Sequence, residues 1–428
     1  MAPRRILVVT YPFPPMPSVG GNRWLAMAKY LRRAGHTLDI LTTSAFGALP
    51  DDAQMGVYRS DDLIAARWLR TLMRRPALPK AGEAAAIDRP PQAIVTKLLV
   101  PDHNVVTWVP LAARAARRLV RERGYDCVIT TSAYESTHLV GLCLGRGRPA
   151  WIADFRDGWS FHPWREPFPT ALQRRLDVWL ESTVVRSADR TIVVERPVGE
   201  DFRERLGVDV GYAPNGWDPE LEREADEALA PQLEDAAITI VHTGKLTGGW
   251  GRHPGALFDA MRRLREEDPQ AGARVRLVLA GRLDEDERQL IDEARLDGMV
   301  RHVGVLTRAQ AMALQRRADV LLLITSPTLV WELPGKVFEY FGAGRPILAL
   351  AHENEAAQVV QETGTGWTVP PRDVDAIVAV LRRLALEGAK WPIDRGRLEP
   401  YIYPRPAEVV EAEVERAIAT RRTRLSSR

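Results

Sequence analysis

The sequence predicts an α/β protein of two domains, each a doubly wound parallel sheet. Three observations carry this. Residues 4–42 read as strand, helix, strand. Residues 318–350 repeat that order near the other end of the chain. In both halves, short apolar runs of strand length alternate with helical stretches, the pattern of parallel sheets covered by helices on both faces. The chain has 428 residues, enough for two or three domains with sizeable cores.

Composition excludes several classes. A hydrophobic content of 45% and a charged content of 27% are ordinary for a soluble globular protein. No apolar run is long enough to span a bilayer, and the chain passes from Arg4-Arg5 straight into a strand, so no signal peptide is expected. Cys127 and Cys143 both lie in apolar surroundings, which suits buried thiols in a reducing cytoplasm better than a disulfide or a metal site. A net charge of +3 and a pI near 8.9 are compatible with anionic substrates or lipid headgroups. No fixed-period repeat and no zinc or RNA-binding signature is present, so nucleic acid is not an expected partner.

Residues 4–10 (RRILVVT) form a β-branched strand and 12–17 a rigid proline-rich loop. Gly20-Gly21 opens a helix through Trp24, Leu25, Met27, Ala28 and Leu31, and 37–42 is the second strand. The glycine pair lacks the G-x-G-x-x-G spacing of dinucleotide dehydrogenases. It suits a ligand approaching the backbone, or helix packing alone. Residues 44–103 read as irregular, apart from a basic amphipathic helix at 62–75. Leu63, Ile64, Trp68, Leu69 and Leu72 lie on one side of it and Arg67, Arg70 and Arg74 on the other. It fits a lid packed on the domain or a helix lying on an anionic membrane surface. Residues 76–92 read as a loop rich in Pro and Ala, and 111–123 as an Arg-studded helix with a solvated face.

Residues 126–131 (DCVITT) are a buried strand, and 132–138 (SAYESTH) start a helix at its C-terminal end. Residues 150–154 (AWIAD) are the next strand, closed by Phe155-Arg156-Asp157-Gly158-Trp159. Ligands of doubly wound sheets gather at such strand ends, so His138, Asp154, Arg156 and Asp157 are candidates for one site. The same residues also allow a turn cap by Asp154 and a structural Arg156–Asp157 ion pair. Residues 168–185 form a helix, and 188–194 (ADRTIVV) is the last strand expected in the first domain.

The second domain opens with the strand 238–243 (ITIVHT), then Gly244-Lys245-Leu246 and a loop made flexible by Gly248, Gly249 and Gly251, with Arg252 at its end. Strands follow at 275–280, 300–303, 318–324, 347–350 and 364–369, and 407–420 is a closing helix. Pro334 and Gly335 set up a helix start, Val337, Phe338 and Phe341 give it an apolar side, and 342–346 stops it. A helix N-terminus at the end of a parallel strand favours an anion. Lys336 adds a point charge in the first turn. Glu339, one turn on, can accept two hydrogen bonds from vicinal hydroxyls such as those of a ribose. Diphosphate beside a sugar diol describes a nucleotide, although an ordinary strand–helix unit with a solvated Lys and Glu has the same residues.

The segment PGKVFEYFGAGRPILA resembles the donor-binding segment of the retaining glycosyltransferases of family 4, which have the GT-B fold of two Rossmann-like domains facing a cleft. The resemblance implies that Glu339 holds the nucleotide ribose. The family's upstream Glu, eight positions earlier, contacts the donor sugar; here Trp331 stands at that position and Glu332 beside it. Gly244-Lys245-Leu246 with Arg252 resembles a family segment whose Arg and Lys bind the donor diphosphate, with the two cations swapped. The N-terminal pattern around Gly20-Gly21 resembles the family's loop near the donor phosphates and acceptor. D-x-R-D-x-W at 154–159 resembles a segment of polysaccharide-assembling members, standing where others carry a His near the donor sugar. A carboxylate there takes the acceptor proton or supports positive charge at the anomeric carbon. YAPNGWD at 212–218 resembles the inter-domain linker.

The expected organisation is residues 1–210 with 405–428 as an acceptor-side domain and 211–404 as the nucleotide-sugar domain. The expected activity is glycosyl transfer from a UDP- or GDP-sugar with retention and without a metal or other cofactor. Expected catalytic residues are Asp157, Asp154 and His138. Expected donor-binding residues are Gly20, Gly21, Lys245, Arg252, Gly335, Lys336, Glu339 and Glu332. The acceptor is a saccharide, a lipid-linked saccharide or a small molecule, and the location cytoplasmic, with peripheral contact at the inner membrane face left open. A sugar-nucleotide epimerase and a non-catalytic binding protein on the same fold are the rival readings.

Overall fold

The computed structural model describes residues 2–16, 18–63, 99–102, 105–132, 134–161, 168–221, 231–233, 238–248 and 251–427. The amphipathic segment expected at 62–75, from residue 64 onward, the loop at 76–92 and Gly249 lie outside them. The chain divides into two compact units, Met1–Pro214 with Pro404–Arg428, and Asn215–Tyr403.

The first unit runs β1 (Arg5–Thr10), α1 (Val19–Arg33), β2 (Thr37–Thr43), β3 (Val57–Ser60), α2 (Val109–Arg123), β4 (Cys127–Thr131), α3 (Ser136–Cys143), β5 (Ala150–Phe155), α4 (Ala171–Ser187), β6 (Arg190–Val193), α5 (Arg196–Leu206) and β7 (Val210–Tyr212). All seven strands are parallel, in the order β3-β2-β1-β4-β5-β6-β7. Two strands escape the sequence reading. β3 lies in the stretch read as irregular, because four residues (VYRS) carry too little apolar alternation to register. β7 follows the strand expected to be last and is only three residues long. The division expected after residue 210 therefore falls inside β7. α4 starts at Ala171 rather than 168 because Thr170 caps it, its hydroxyl accepting from the Gln173 backbone N–H in a capping box.

The second unit contains β8 (Ile238–Thr243), α6 (Gly255–Glu267), α7 (Pro269–Ala273), β9 (Val275–Ala280), α8 (Glu285–Glu293), β10 (Val300–His302), α9 (Arg308–Arg317), β11 (Val320–Ile324), α10 (Lys336–Ala343), β12 (Ile347–Leu350), α11 (Glu355–Thr363), β13 (Gly366–Val369) and α12 (Val374–Glu387). Its six strands are parallel in the order β10-β9-β8-β11-β12-β13. Alternation along the strands splits their side chains between two cores. Ile240, Leu277, Leu322 and Leu348 enter one, and Val241, Val278, Leu321 and Ile347 the other. The closing helix α13 (Arg405–Ser426) packs on α1, β5 and β6 of the first unit. Arg4–Glu415 (2.6 Å) and Arg190–Glu413 (2.7 Å) ion pairs pin it there. Among the described residues no helix is long and apolar enough to cross a membrane.

Candidate active site

In the second sheet the chain moves outward from β8 to β9 and β10, then returns to β11 on the other side of β8. The C-terminal ends of β8 and β11 therefore form a topological switch point, where such sheets open a crevice for ligands. The loop after β8 begins at Gly244, held at φ +95, a conformation that favours glycine. A Cβ there would also come within 3.1 Å of Lys336 Cε, so the missing side chain leaves room for the lysine stem.

Lys336 is the first residue of α10, with Gly335 as its N-cap. Its Nζ donates to His242 Nε2 (3.1 Å) and lies 3.4 Å from the Lys245 carbonyl. The His242 ring is buried at the end of β8, and its Nδ1 stands 2.9 Å from the Leu322 carbonyl. Nε2 also stands 3.0 Å from the Lys245 carbonyl; with the single proton on Nδ1, Nε2 and that carbonyl are both acceptors, and the Lys336 ammonium is the donor that faces both. Burial, then the Lys336 charge, holds the His242 pKa down at about 3, so the ring is neutral. Burial, reinforced by Arg252, lowers the Lys336 pKa to about 8. An ammonium group is thus held under partly desolvated conditions beside a second cation, at a helix N-terminus that adds positive potential. An anion entering here relieves all three.

Arg252 was expected to bind the donor diphosphate. Its guanidinium pairs with Glu332, while its Nε has no partner among the described residues. Glu332 is 4% exposed and also accepts from the Ser326 backbone N–H (2.6 Å). One carboxylate therefore ties Arg252 to the loop after β11 and is committed on both oxygens. Lys245 is exposed and pairs with Asp284 at 3.1 Å, an exposed pair that a more strongly charged anion displaces at small cost. Glu287, fully buried, accepts from the Thr247 backbone N–H (2.6 Å) and hydroxyl (2.8 Å) and so anchors the Gly244–Gly248 loop. Glu339 is exposed one turn into α10 and has no hydrogen-bond partner among the described residues.

The first unit has its own switch point between β1 and β4. Ser18 caps α1, its hydroxyl accepting from the Gly21 N–H (2.9 Å). The Arg156 guanidinium lies over Gly20, so a side chain at that position would require the guanidinium to move. The Arg156 backbone N–H donates to Ser132 Oγ (3.0 Å), fixing the loop after β5 to the loop after β4. Burial pushes the Arg156 pKa down. The Arg156–Asp157 ion pair that the sequence also allowed does not form. Asp157 is half-buried and without a hydrogen bond to any described residue.

Asp154 and His138 were expected to line an open site, but neither side chain is exposed. Asp154 accepts from Arg23 Nη1 (2.7 Å) and from Trp24 Nε1 (3.0 Å), an ion pair that binds α1 to β5. His138 stacks on Phe155 with ring centroids 4.3 Å apart, and its Nδ1 meets Thr130 Oγ1 at 2.9 Å. Burial drives its pKa to about 3, so it is neutral. The sequence reading passed over His242, Arg23 and Glu287. The signal for His242 was present: a histidine inside the strand ITIVHT has to be hydrogen-bonded once that strand is buried. Among the described residues no three His, Cys, Asp or Glu side chains converge closely enough to hold a metal ion.

Comparisons with known proteins bear on this arrangement. No curated protein sequence matches the chain. A glycosyltransferase from Rickettsia africae superposes with a TM-score of 0.63 at 13% identity, covering 98% of this chain and 99% of that one. A protein of Listeria monocytogenes named as a UDP-N-acetylglucosamine 2-epimerase superposes at 0.57 and 13% identity, covering 97% and 96%. A trehalose-6-phosphate protein of E. coli bound with UDP-2-fluoro glucose gives 0.59 at 15% identity, covering 99% and 98%. Residues 20–221 match the family model described as Glycosyltransferase Family 4, and residues 237–387 the one described as Glycosyl transferases group 1. The chain therefore carries a family 4 glycosyltransferase domain followed by a group 1 glycosyltransferase domain, on a GT-B fold of two parallel-sheet α/β units.

Proposed function

We propose that the protein moves a glycosyl group from a UDP- or GDP-sugar to an acceptor hydroxyl, with retention at the anomeric carbon and without a metal ion. The observation that carries this is the Lys336 ammonium, held against neutral His242 beneath Gly244 at the head of α10 and within Coulombic reach of Arg252. Such a cluster stabilises a diphosphate leaving group electrostatically, the task a divalent cation performs elsewhere. In this reading Lys336, Lys245, Arg252 and the α10 N-terminus at Gly335 receive the diphosphate, and Glu339 the ribose diol. Glu332 holds Arg252 and the loop after β11 in position. Asp157 stabilises positive charge at the anomeric carbon or orients the attacking hydroxyl, and Gly20-Gly21 at the start of α1, with Gly20 against the Arg156 guanidinium, lets a ligand approach the backbone. Asp154 and His138 support those loops from beneath. The similarity to a structure bound with UDP-2-fluoro glucose supports a UDP-sugar donor. The acceptor is a saccharide, a lipid-linked saccharide or a small molecule, and the reaction is assigned to the cytoplasm.

Incubation with UDP-sugars and GDP-sugars tests the proposal. Slow release of nucleoside diphosphate, undiminished by EDTA, supports it. An altered sugar still attached to UDP identifies an epimerase, binding without turnover identifies a binding protein, and a requirement for a divalent cation overturns the metal-free mechanism. NMR of a glycosylated product reads retention or inversion directly.

A further inference from the structure

The head of α8 is capped by two acids that also reach the loop after β8. Asp284 and Glu287 form a capping box: Asp284 Oδ1 accepts from the Glu287 backbone N–H (3.0 Å), and Glu287 Oε2 accepts from the Asp284 backbone N–H (3.0 Å). In each carboxylate the second oxygen turns to that loop. Glu287 Oε1 accepts from both Thr247 donors, and Asp284 Oδ2 meets the Lys245 ammonium at 3.1 Å. Leu246, between those two loop residues, and Leu283, next to Asp284, are buried in the same core. A helix cap needs one oxygen from each acid. The other two hold a loop 40 residues away in the chain.

The two links differ in kind. Glu287 is fully buried, and a buried carboxylate is tolerated only when its hydrogen bonds are met; here three donors meet it. The Lys245 and Asp284 side chains are 61% and 48% exposed, so their pair opens readily in water. Lys245 also bears on the buried ammonium, its carbonyl lying 3.4 Å from Lys336 Nζ. The loop is thus fixed at Thr247, and its lysine side chain is held by an acid it can leave. The Glu287 charge reaches Lys336 as well. With Glu339 and Glu332 it raises the Lys336 pKa against burial and Arg252, while His242 beside the ammonium is neutral.

We propose that Glu287 is the positioning residue of the diphosphate loop and that Asp284 is the counter-ion which a donor diphosphate displaces from Lys245. The inference rests on the diphosphate reading of Lys245 and Lys336. Isothermal titration with UDP, GDP and their nucleosides, from pH 7 to pH 9.5, tests it on wild type and three variants. Asp284→Asn keeps an oxygen for the cap and frees Lys245, so the diphosphate binds about threefold more tightly at low salt, and high salt removes the gain. Glu287→Gln must set its NH2 against a backbone N–H whichever way it turns, so the diphosphate binds at least about tenfold more weakly. The pH above which affinity falls, about 8 in wild type, moves lower in this variant because a negative charge near Lys336 is gone. Thr247→Val removes only the hydroxyl, so it weakens binding less and leaves that pH in place. The nucleosides bind all four proteins alike. A capping box that only stabilised α8 would not give opposite signs from its two halves, nor move the pH dependence. If Glu287→Gln melts early, Asp284→Asn and Thr247→Val decide. Diphosphate affinity that is unchanged or lowered in Asp284→Asn overturns the inference while the diphosphate reading stands, as does unchanged affinity in Thr247→Val or in a folded Glu287→Gln. Wild type that binds neither diphosphate more tightly than its nucleoside overturns both.

Discussion

Replacing Lys336 with Gln should weaken nucleoside diphosphate binding by roughly a hundredfold at neutral pH. The magnitude follows from the site. Burial and Arg252 lower the Lys336 pKa from 10.5 to about 8. A bound diphosphate that restores the ordinary value returns about 2.5 pKa units, or about 3 kcal/mol at 1.36 kcal/mol per unit. The sign follows as well. The ligand binds the protonated ammonium, so affinity is full below pH 8 and falls about tenfold per pH unit above it, until the pKa of the complex is reached. The terminal phosphate, with its pKa near 6, is ionised throughout and adds no slope there. Isothermal titration with UDP and GDP at pH 7 and pH 9, in buffers of different ionisation enthalpy, reads both effects. Binding at pH 9 should take up close to one proton, and the Lys336→Gln variant should show neither the uptake nor the slope. Free uridine or guanosine should bind wild type and variant alike. A flat affinity between pH 7 and pH 9.5, or equal losses for nucleoside and nucleoside diphosphate, would refute the assignment.

Three further outcomes are expected. Glu339→Ala should lower affinity for nucleoside diphosphates by about 1.5–3 kcal/mol and abolish discrimination against 2′,3′-dideoxy analogues; calorimetry with paired ligands measures this, and retained discrimination removes Glu339 from the ribose. Asp157→Asn should cut kcat by a large factor, about a hundredfold or more, while leaving nucleotide affinity nearly unchanged, because its interaction is made in the transition state; equal losses in both assign it to ground-state binding. His138 and His242 have folded pKa values near 3, so the unfolded chain binds more protons than the folded one between pH 3 and 6.5. Stability should therefore drop as pH falls through that window, by about 1.2 kcal/mol for each histidine between pH 7 and pH 5.5; urea unfolding at the two pH values reads it, and equal stabilities would mean that the rings are not held neutral.

Much of the fold was legible because a strand or helix records its own faces in its sequence period. The apolar runs at 126–131, 150–154 and 347–350 could be assigned without knowing their neighbours. The head of α10 was legible for the same reason: Pro334, Gly335, Lys336 and Glu339 lie within one and a half turns, so their mutual geometry is local. β3 and β7 were not legible, since three or four residues carry no period and only pairing with β2 and β6 makes them strands.

What the sequence determined by itself was the kind of charge available and the strand end that presents it. Which charges are free, which are neutral and which are buried was decided by tertiary structure. Lys336 meets His242 across 94 residues, Arg252 meets Glu332 across 80, and Arg23 meets Asp154 across 131. These contacts turned Glu332 and Asp154 from expected sugar and catalytic contacts into anchors. Burial by remote segments made His138 a neutral core residue. The same cause set α4 apolar side outward: the periodicity of 171–187 marks two faces, and Trp159, Ser160 and Arg205 decide that the acidic one turns inward. Spacing along a chain fixes neighbours within an element, but burial and pairing are properties of the contact between elements, and those exist only once the sheets have closed around their cores.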